Sequence, residues 1–147
     1  MKNTVKIGIN SSCFYHLENR PGKAIARVQS DDKVVYKTLE LEGTTDTRIR
    51  IQILIDIIKE LTEPTHIVLY GPKIGLRKIT DKRGQYKICS PTKINADLLN
   101  QLQNELINGG HDIEEGEPNK YKDIIKQTAK TLNKDVHTTA TVDRVTT

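Results

Sequence analysis

The stretch TTDTRIRIQILIDIIKELTEPTHIVLY, residues 44–70, changes its hydrophobic period partway along. Ile51, Leu54, Ile55, Ile58 and Leu61 recur three and four residues apart, the stripe of an amphipathic helix. Thr44, Thr45 and Asp46 stand just before it with side chains suited to an N-cap, and Pro64 lies just beyond its end. Ile67-Val68-Leu69-Tyr70 then forms a short apolar run bounded by Pro64 and by Gly71-Pro72. Its length suits a buried central strand. A strand that follows a helix is expected to lie parallel to an earlier strand.

Upstream, Val5, Ile7 and Ile9 alternate with Lys6, Gly8 and Asn10, which predicts a half-buried strand. Ala24, Ala26 and Val28 predict a second strand after the Pro21-Gly22 turn, and Val34 through Leu41 a third after Asp31-Asp32. The three read as an antiparallel meander. Downstream, Lys73–Ile79 is expected as a short helix with Pro72 near its first turn. The polar segment from Asp81 to Lys93 is expected as a loop with a small hairpin around Tyr86-Lys87-Ile88. Leu98, Leu99, Leu102 and Leu106 stripe another helix, capped by Asn95 and stopped at Gly109-Gly110. A strand at His111–Glu115 follows. Pro118 then opens a last helix striped by Tyr121, Ile124, Ile125, Thr128 and Leu132. One domain over residues 1–134 and a flexible tail over 135–147 are expected, because the threonine-rich tail has no core-forming pattern.

Composition narrows the class. With 35% hydrophobic and 29% charged residues, no Trp and one Phe, the core of this 147-residue chain must be built from Ile, Leu and Val. A net charge of +4 permits a polyanionic partner without requiring one. Cys13 and Cys89 have neither disulfide nor metal spacing. No run approaches the roughly 18 apolar residues of a membrane span, and Met1–Val5 lacks a signal-peptide pattern. A cytoplasmic setting with no membrane partner is therefore expected.

Four segments, in order, resemble type 1 ribonuclease H. Asn10-Ser11-Ser12-Cys13 resembles that family's Asp-Gly-Ser-Cys, and Thr44 to Ile51 its Thr-Thr-Asn-Asn-Arg-Met-Glu-Leu. Leu69-Tyr70-Gly71-Pro72 falls where the family has Thr-Asp-Ser, and Asn119 to Asp123 has the spacing of its Asn-x-x-x-Asp. The resemblance spans about residues 5 to 134. It implies an α/β ribonuclease-H-like fold, with a five-stranded mixed sheet of three antiparallel strands and then parallel strands, flanked by helices.

The resemblance also implies a chemistry. The family cuts the RNA strand of an RNA–DNA hybrid with two Mg²⁺ ions roughly 4 Å apart, held by four acidic positions, because magnesium prefers carboxylate oxygens and water. Those positions here are Asn10, Arg50, Gly71 and Asp123, of which Asp123 alone is acidic. Asn10 offers a neutral carbonyl, Gly71 no side chain, and Arg50 a permanent positive charge. The catalytic site is thus expected to be degenerate and metal-free. One arrangement the register allows is an Arg50–Asp123 ion pair in place of the metals. Asp123 also suits an ordinary first-turn helix acid, and a register one turn different would leave Arg50 solvated. The family's His-containing loop is shortened here to Gly116-Glu117-Pro118-Asn119, without His.

Three functions compete. The first is a catalytically inactive domain that binds nucleic acid: RNA–DNA hybrid, RNA or DNA. Its expected contacts are Ser12 and Cys13 together with the basic stretch Arg77, Lys78, Lys82, Arg83 and Lys87, where Tyr86 is placed to stack on a base. Read blandly, that stretch is a polar loop and Cys13 a small buried residue. The second is a protein-interaction module, motivated by Ile49, Ile53 and Ile57, which lie off the main helical stripe. The third is a Mg²⁺-dependent nuclease with a rebuilt site, for which Asp112, Glu114, Glu115 and Glu117 are the candidate cluster, although such an acidic run is more often a solvated edge. His16, His66, His111 and His137 show no ligand spacing. The sequence sets no oligomeric state.

Overall fold

The computed structural model describes residues 3–12, 22–31, 33–72, 77–80, 86–89, 95–135 and 142–144, with backbone alone for 77–80, 86–89, 129–135 and 142–144. Strands β1 (Asn3–Ser12), β2 (Gly22–Ser30) and β3 (Lys33–Leu41) form the expected antiparallel meander. Helix α1 (Asp46–Lys59) carries the chain across to β4 (Thr65–Tyr70), which runs parallel to β1 with Ile7 opposite Leu69. Helix α2 (Ala96–Gly109) leads to β7 (Asp112–Glu115), parallel to β4. The five expected strands form a mixed sheet in the order β7-β4-β1-β2-β3, and a sixth strand, β8 (Val142–Arg144), extends it beyond β3. Helix α3 (Lys122–Asp135) follows.

Strand alternation divides the side chains between two faces. Val5, Ile7, Ile9, Ala24, Ala26, Ile67 and Leu69 pack with α1 and α2 in the main core. Ile25, Val34 and Tyr36 form a smaller core on the other face, with Ile125 and Tyr121. Each fully buried isoleucine contributes roughly 1.5–3 kcal/mol. Ile49, Ile53 and Ile57, expected to pack elsewhere, are buried within this chain alongside the main stripe. Helix α1 contacts β1, β2 and β3 as well as α2, so it needs an apolar surface wider than one stripe. That removes the sequence motive for a protein-interaction face on this helix.

The start of α1 is capped as expected: Thr45 Oγ1 accepts the Arg48 N–H at 3.3 Å. The cap of α2 is different. Asn95 takes a left-handed φ of 62° and makes no side-chain cap bond; its Oδ1 instead accepts from Arg48 Nη1 at 3.1 Å. Arg48 also grips Asp97 through both guanidinium branches, at 3.0 and 2.9 Å. This couples the starts of the two helices. At the far end of α2, Gly110 with φ 69° closes the helix.

Other expectations change. The predicted short helix over 73–79 is replaced at Arg77–Thr80 by strand β5, which pairs with β6 (Tyr86–Cys89) in a separate antiparallel ribbon. The hairpin expected around Tyr86 is thus present, and its first arm takes residues assigned to the helix. Arg77-Lys78-Ile79-Thr80 has no helical apolar stripe and ends in two β-branched residues that favour a strand. Helix α3 begins at Lys122, after turns at residues 118–121, rather than at Pro118. Ile124 is 46% exposed because α3 meets the sheet along the Tyr121–Ile125 line. In the expected tail, Val142–Arg144 forms a short strand, β8, paired with β3. Among the described residues no helix is long and apolar enough to cross a membrane.

Candidate functional site

Strand β1 ends between α1 and α3, and its last residues lie beside two of the positions singled out by the resemblance, Arg50 and Gly71. Asn10 is half-buried, and its Oδ1 accepts the Ser11 N–H at 3.0 Å. Ser11 Oγ accepts from Arg50 Nε at 2.8 Å and donates to Asp46 Oδ1 at 2.7 Å. Arg50 Nη2 lies 4.0 Å from Asp46 Oδ1, one helical turn earlier, and the Arg50 side chain is 14% exposed. The partners of Arg50 are therefore Ser11 and Asp46, which replaces the ion pair expected with Asp123. A short local route is available to it, because α1 starts beside the end of β1.

Gly71 follows β4 with φ 128°. A Cβ built there would stand 2.5 Å from the Ile9 carbonyl oxygen. The backbone at this position therefore admits glycine alone without rearrangement. Asp123 lies in the exposed first turn of α3. Magnesium is what the fold family would imply here, and the residues present do not fit it. Two positions offer no carboxylate oxygen near the end of β1, a third is a guanidinium tied into a hydrogen-bond network, and the carboxylate of the fourth is exposed. Among the described residues no group of three or more His, Cys, Asp or Glu is arranged to hold a metal ion.

The acidic segment in β7 meets His66 instead. Asp112 contacts His66 Nδ1, and Glu114 lies 3.6 Å from Nε2. The two carboxylates approach opposite sides of one ring, so their oxygens do not converge on a common centre. His111 is structural. It is 7% exposed, and its Nδ1 accepts the Thr65 N–H at 3.0 Å, which fixes the first residue of β4.

Asn10 and Gly71 share a cavity of about 280 Å³ on the α3 side of the sheet. Tyr70, Asn119, Tyr121 and Lys122 also line it, with Gly8 among its backbone contributors. Gly8 permits α3 to approach: a Cβ there would lie 2.9 Å from Ile125 Cδ1 and 3.3 Å from Tyr121 Cβ. Tyr70 and Tyr121 meet edge to face, with ring centres 5.1 Å apart at 88°. The Arg27 guanidinium stands 4.5 Å from the Tyr121 ring centre, and Lys120 Nζ 5.1 Å from that of Tyr70. The sheet register explains the grouping, since Gly8 pairs with Arg27 on one side and with Tyr70 on the other.

Of the expected nucleic-acid contacts, Ser12 is exposed at the end of β1. Arg77 and Lys78 lie in β5 and Lys87 in β6, a ribbon whose second strand contacts α2. Cys13, Lys82 and Arg83 lie outside the described residues. Sequence reasoning missed Gly8, Arg27, Tyr70, Tyr121 and Lys120 as site residues. The available signal was Gly8, a glycine inside an otherwise alternating strand.

No family model and no curated protein matches the chain. Among solved structures it is similar to LC9-RNase H1, a type 1 ribonuclease H with the type 2 active-site motif, with a TM-score of 0.61 at 13% identity. The match covers 98% of this chain and 79% of the other. The likeness places the chain in the ribonuclease-H-like fold.

Proposed function

We propose that this ribonuclease-H-like domain binds nucleic acid without cleaving it. The observation that carries the reading is the Arg50–Ser11–Asp46 network at the end of β1, which puts a fixed internal cation where the resemblance implies a metal-binding carboxylate. An Arg keeps its charge at any ordinary pH, so this position repels a divalent ion. The lack of room for a side chain at Gly71 supports the same conclusion.

Binding is supported by the fold likeness, the net charge of +4 and exposed Lys120 and Lys122 beside the cavity. Arg50 is partly neutralised by Asp46, so the exposed lysines are the stronger phosphate contacts in this reading. Ser12 and the ribbon residues Arg77, Lys78 and Lys87 are proposed as further contacts, with Lys82 and Arg83 from the same basic stretch.

The test combines two assays on the full chain. An end-labelled RNA–DNA hybrid is incubated with Mg²⁺ or Mn²⁺, and its binding is titrated across salt concentrations. The reading expects no cleavage and an affinity that falls linearly in log–log form, by a slope of about 0.9 per phosphate contacted. Cleavage abolished by Asp123→Ala would restore the rebuilt-site nuclease. Failure to bind hybrid, duplex or single strands at low salt would refute the binding half.

A further inference from the structure

The cavity beside Asn10 is lined by two tyrosines, Tyr70 and Tyr121, and by Asn119 and Lys122, with Lys120 close to both rings. Tyr70 and Tyr121 hold each other edge to face and are braced by Arg27 and Lys120. Arg27 is itself held by Gln29, at 2.8 Å. The rings are therefore positioned before any ligand arrives. The Asn10 carbonyl already accepts the Ser11 N–H, which leaves its amide NH₂ to donate. Asn119, in the turn before α3, and Lys122 line the same cavity.

Size and chemistry narrow the ligand. A volume of about 280 Å³ suits one planar heterocycle with its sugar, not a stacked pair. Aromatic faces stack on any base, and amides read its polar edge. Exposed lysines suit the attached phosphate. A paired base would have to leave its stack to enter, so an unpaired one is favoured.

We propose that this cavity holds one unpaired nucleotide of a single strand, with its base against Tyr70 and Tyr121, its polar edge on Asn10 and Asn119, and its phosphate at Lys120 and Lys122. The inference rests on the nucleic-acid reading above and deepens it. A ribonuclease-H-like surface that grips only the backbone of a duplex would have no use for such a cavity.

The experiment measures binding of the full chain to fluorescently labelled oligouridylate, to an abasic strand of equal length and charge, and to an RNA–DNA hybrid. Uridine monophosphate serves as competitor. Oligouridylate is expected to bind about tenfold more tightly than the abasic strand. In Asn10→Ala/Asn119→Ala that ratio is expected to collapse towards one; both residues lie outside the core, and circular dichroism checks the fold. A Tyr70→Leu variant provides a second route to the same collapse. Equal affinity for oligouridylate and abasic strand, with hybrid still bound, would overturn the cavity and leave the wider reading standing. No binding to any nucleic acid would overturn both. Competition by the monophosphate as strong as by the strand would overturn the single strand as occupant and assign the cavity to a free nucleotide.

Discussion

Arg50 Nε donates to Ser11 Oγ at 2.8 Å, joining the first turns of α1 to the neighbour of Asn10 at the end of β1. The same hydroxyl donates to Asp46, so Ser11 links the guanidinium to a carboxylate of the same helix. Arg50→Met removes both the donor and the cation 4.0 Å from Asp46. Unfolding by urea should show a loss of about 2 kcal/mol, the order expected for a charge-assisted hydrogen bond. Arg50→Lys should recover part of that loss. An Arg50→Met midpoint equal to the parent's would show that the network contributes nothing to stability.

Gly71 provides a sharper steric test. Its φ of 128° and the proximity of Ile9 O leave no space for Cβ. Gly71→Ala should destabilise by roughly 1–3 kcal/mol, and Gly71→Asp by at least as much. The second substitution should not create a metal site, which calorimetry with Mg²⁺ checks directly. Heat of Mg²⁺ binding to Gly71→Asp would contradict this account.

The pair joining α1 to α2 sets an acid dependence. The hydrogen bonds from Arg48 lower the Asp97 pKa from 3.8 to about 2. The folded value lies below the unfolded one, so the contribution is present above the unfolded pKa and is lost as pH falls through the folded value. Stability of the parent should therefore decline between pH 3.8 and about 2 partly through this group. Asp97→Asn should flatten that part of the profile in denaturant midpoints. Because Asp97 is solvent-exposed, added salt should shrink the difference. Superimposable pH profiles at low salt would remove Asp97 from this role.

Ile53 and Ile107 form a contrasting pair. Ile53 is 1% exposed in α1, whereas Ile107 is 61% exposed on α2. Ile53→Ala should cost about 2–5 kcal/mol through lost burial and the cavity left behind. Ile107→Ala should remain within about 0.5 kcal/mol of the parent. Thermal or urea unfolding of the two variants separates these expectations. Similar losses from both would mean that Ile107 is covered by something other than this chain.

The elements that were legible have a strong local period. Val5, Ile7 and Ile9 alternate because one face of β1 is buried, and the stripe from Ile51 to Ile58 marks α1 because the sheet needs a helix across it. The β5–β6 ribbon was only half legible. Four residues at Arg77–Thr80 are too few to show a period, and pairing with Tyr86–Cys89 decides their conformation. Asn95 looked like a cap because its residue type favours one. Its use as an acceptor for Arg48 depends on α1 and α2 lying side by side.

The sequence alone determined that residues 10, 50 and 71 carry no carboxylate, since residue identity needs no fold. Hydrophobic period likewise determined the order of the principal strands and helices. Tertiary structure decided where the charge of Arg50 goes. Its partner Ser11 lies 39 positions away, and contact depends on the end of β1 meeting the start of α1. Tertiary structure also made the cavity. Gly8 and Tyr70 meet only through parallel strand pairing, and Tyr121 joins them only when α3 packs over that glycine. Local sequence sets a conformation, whereas a site requires distant side chains to share one volume.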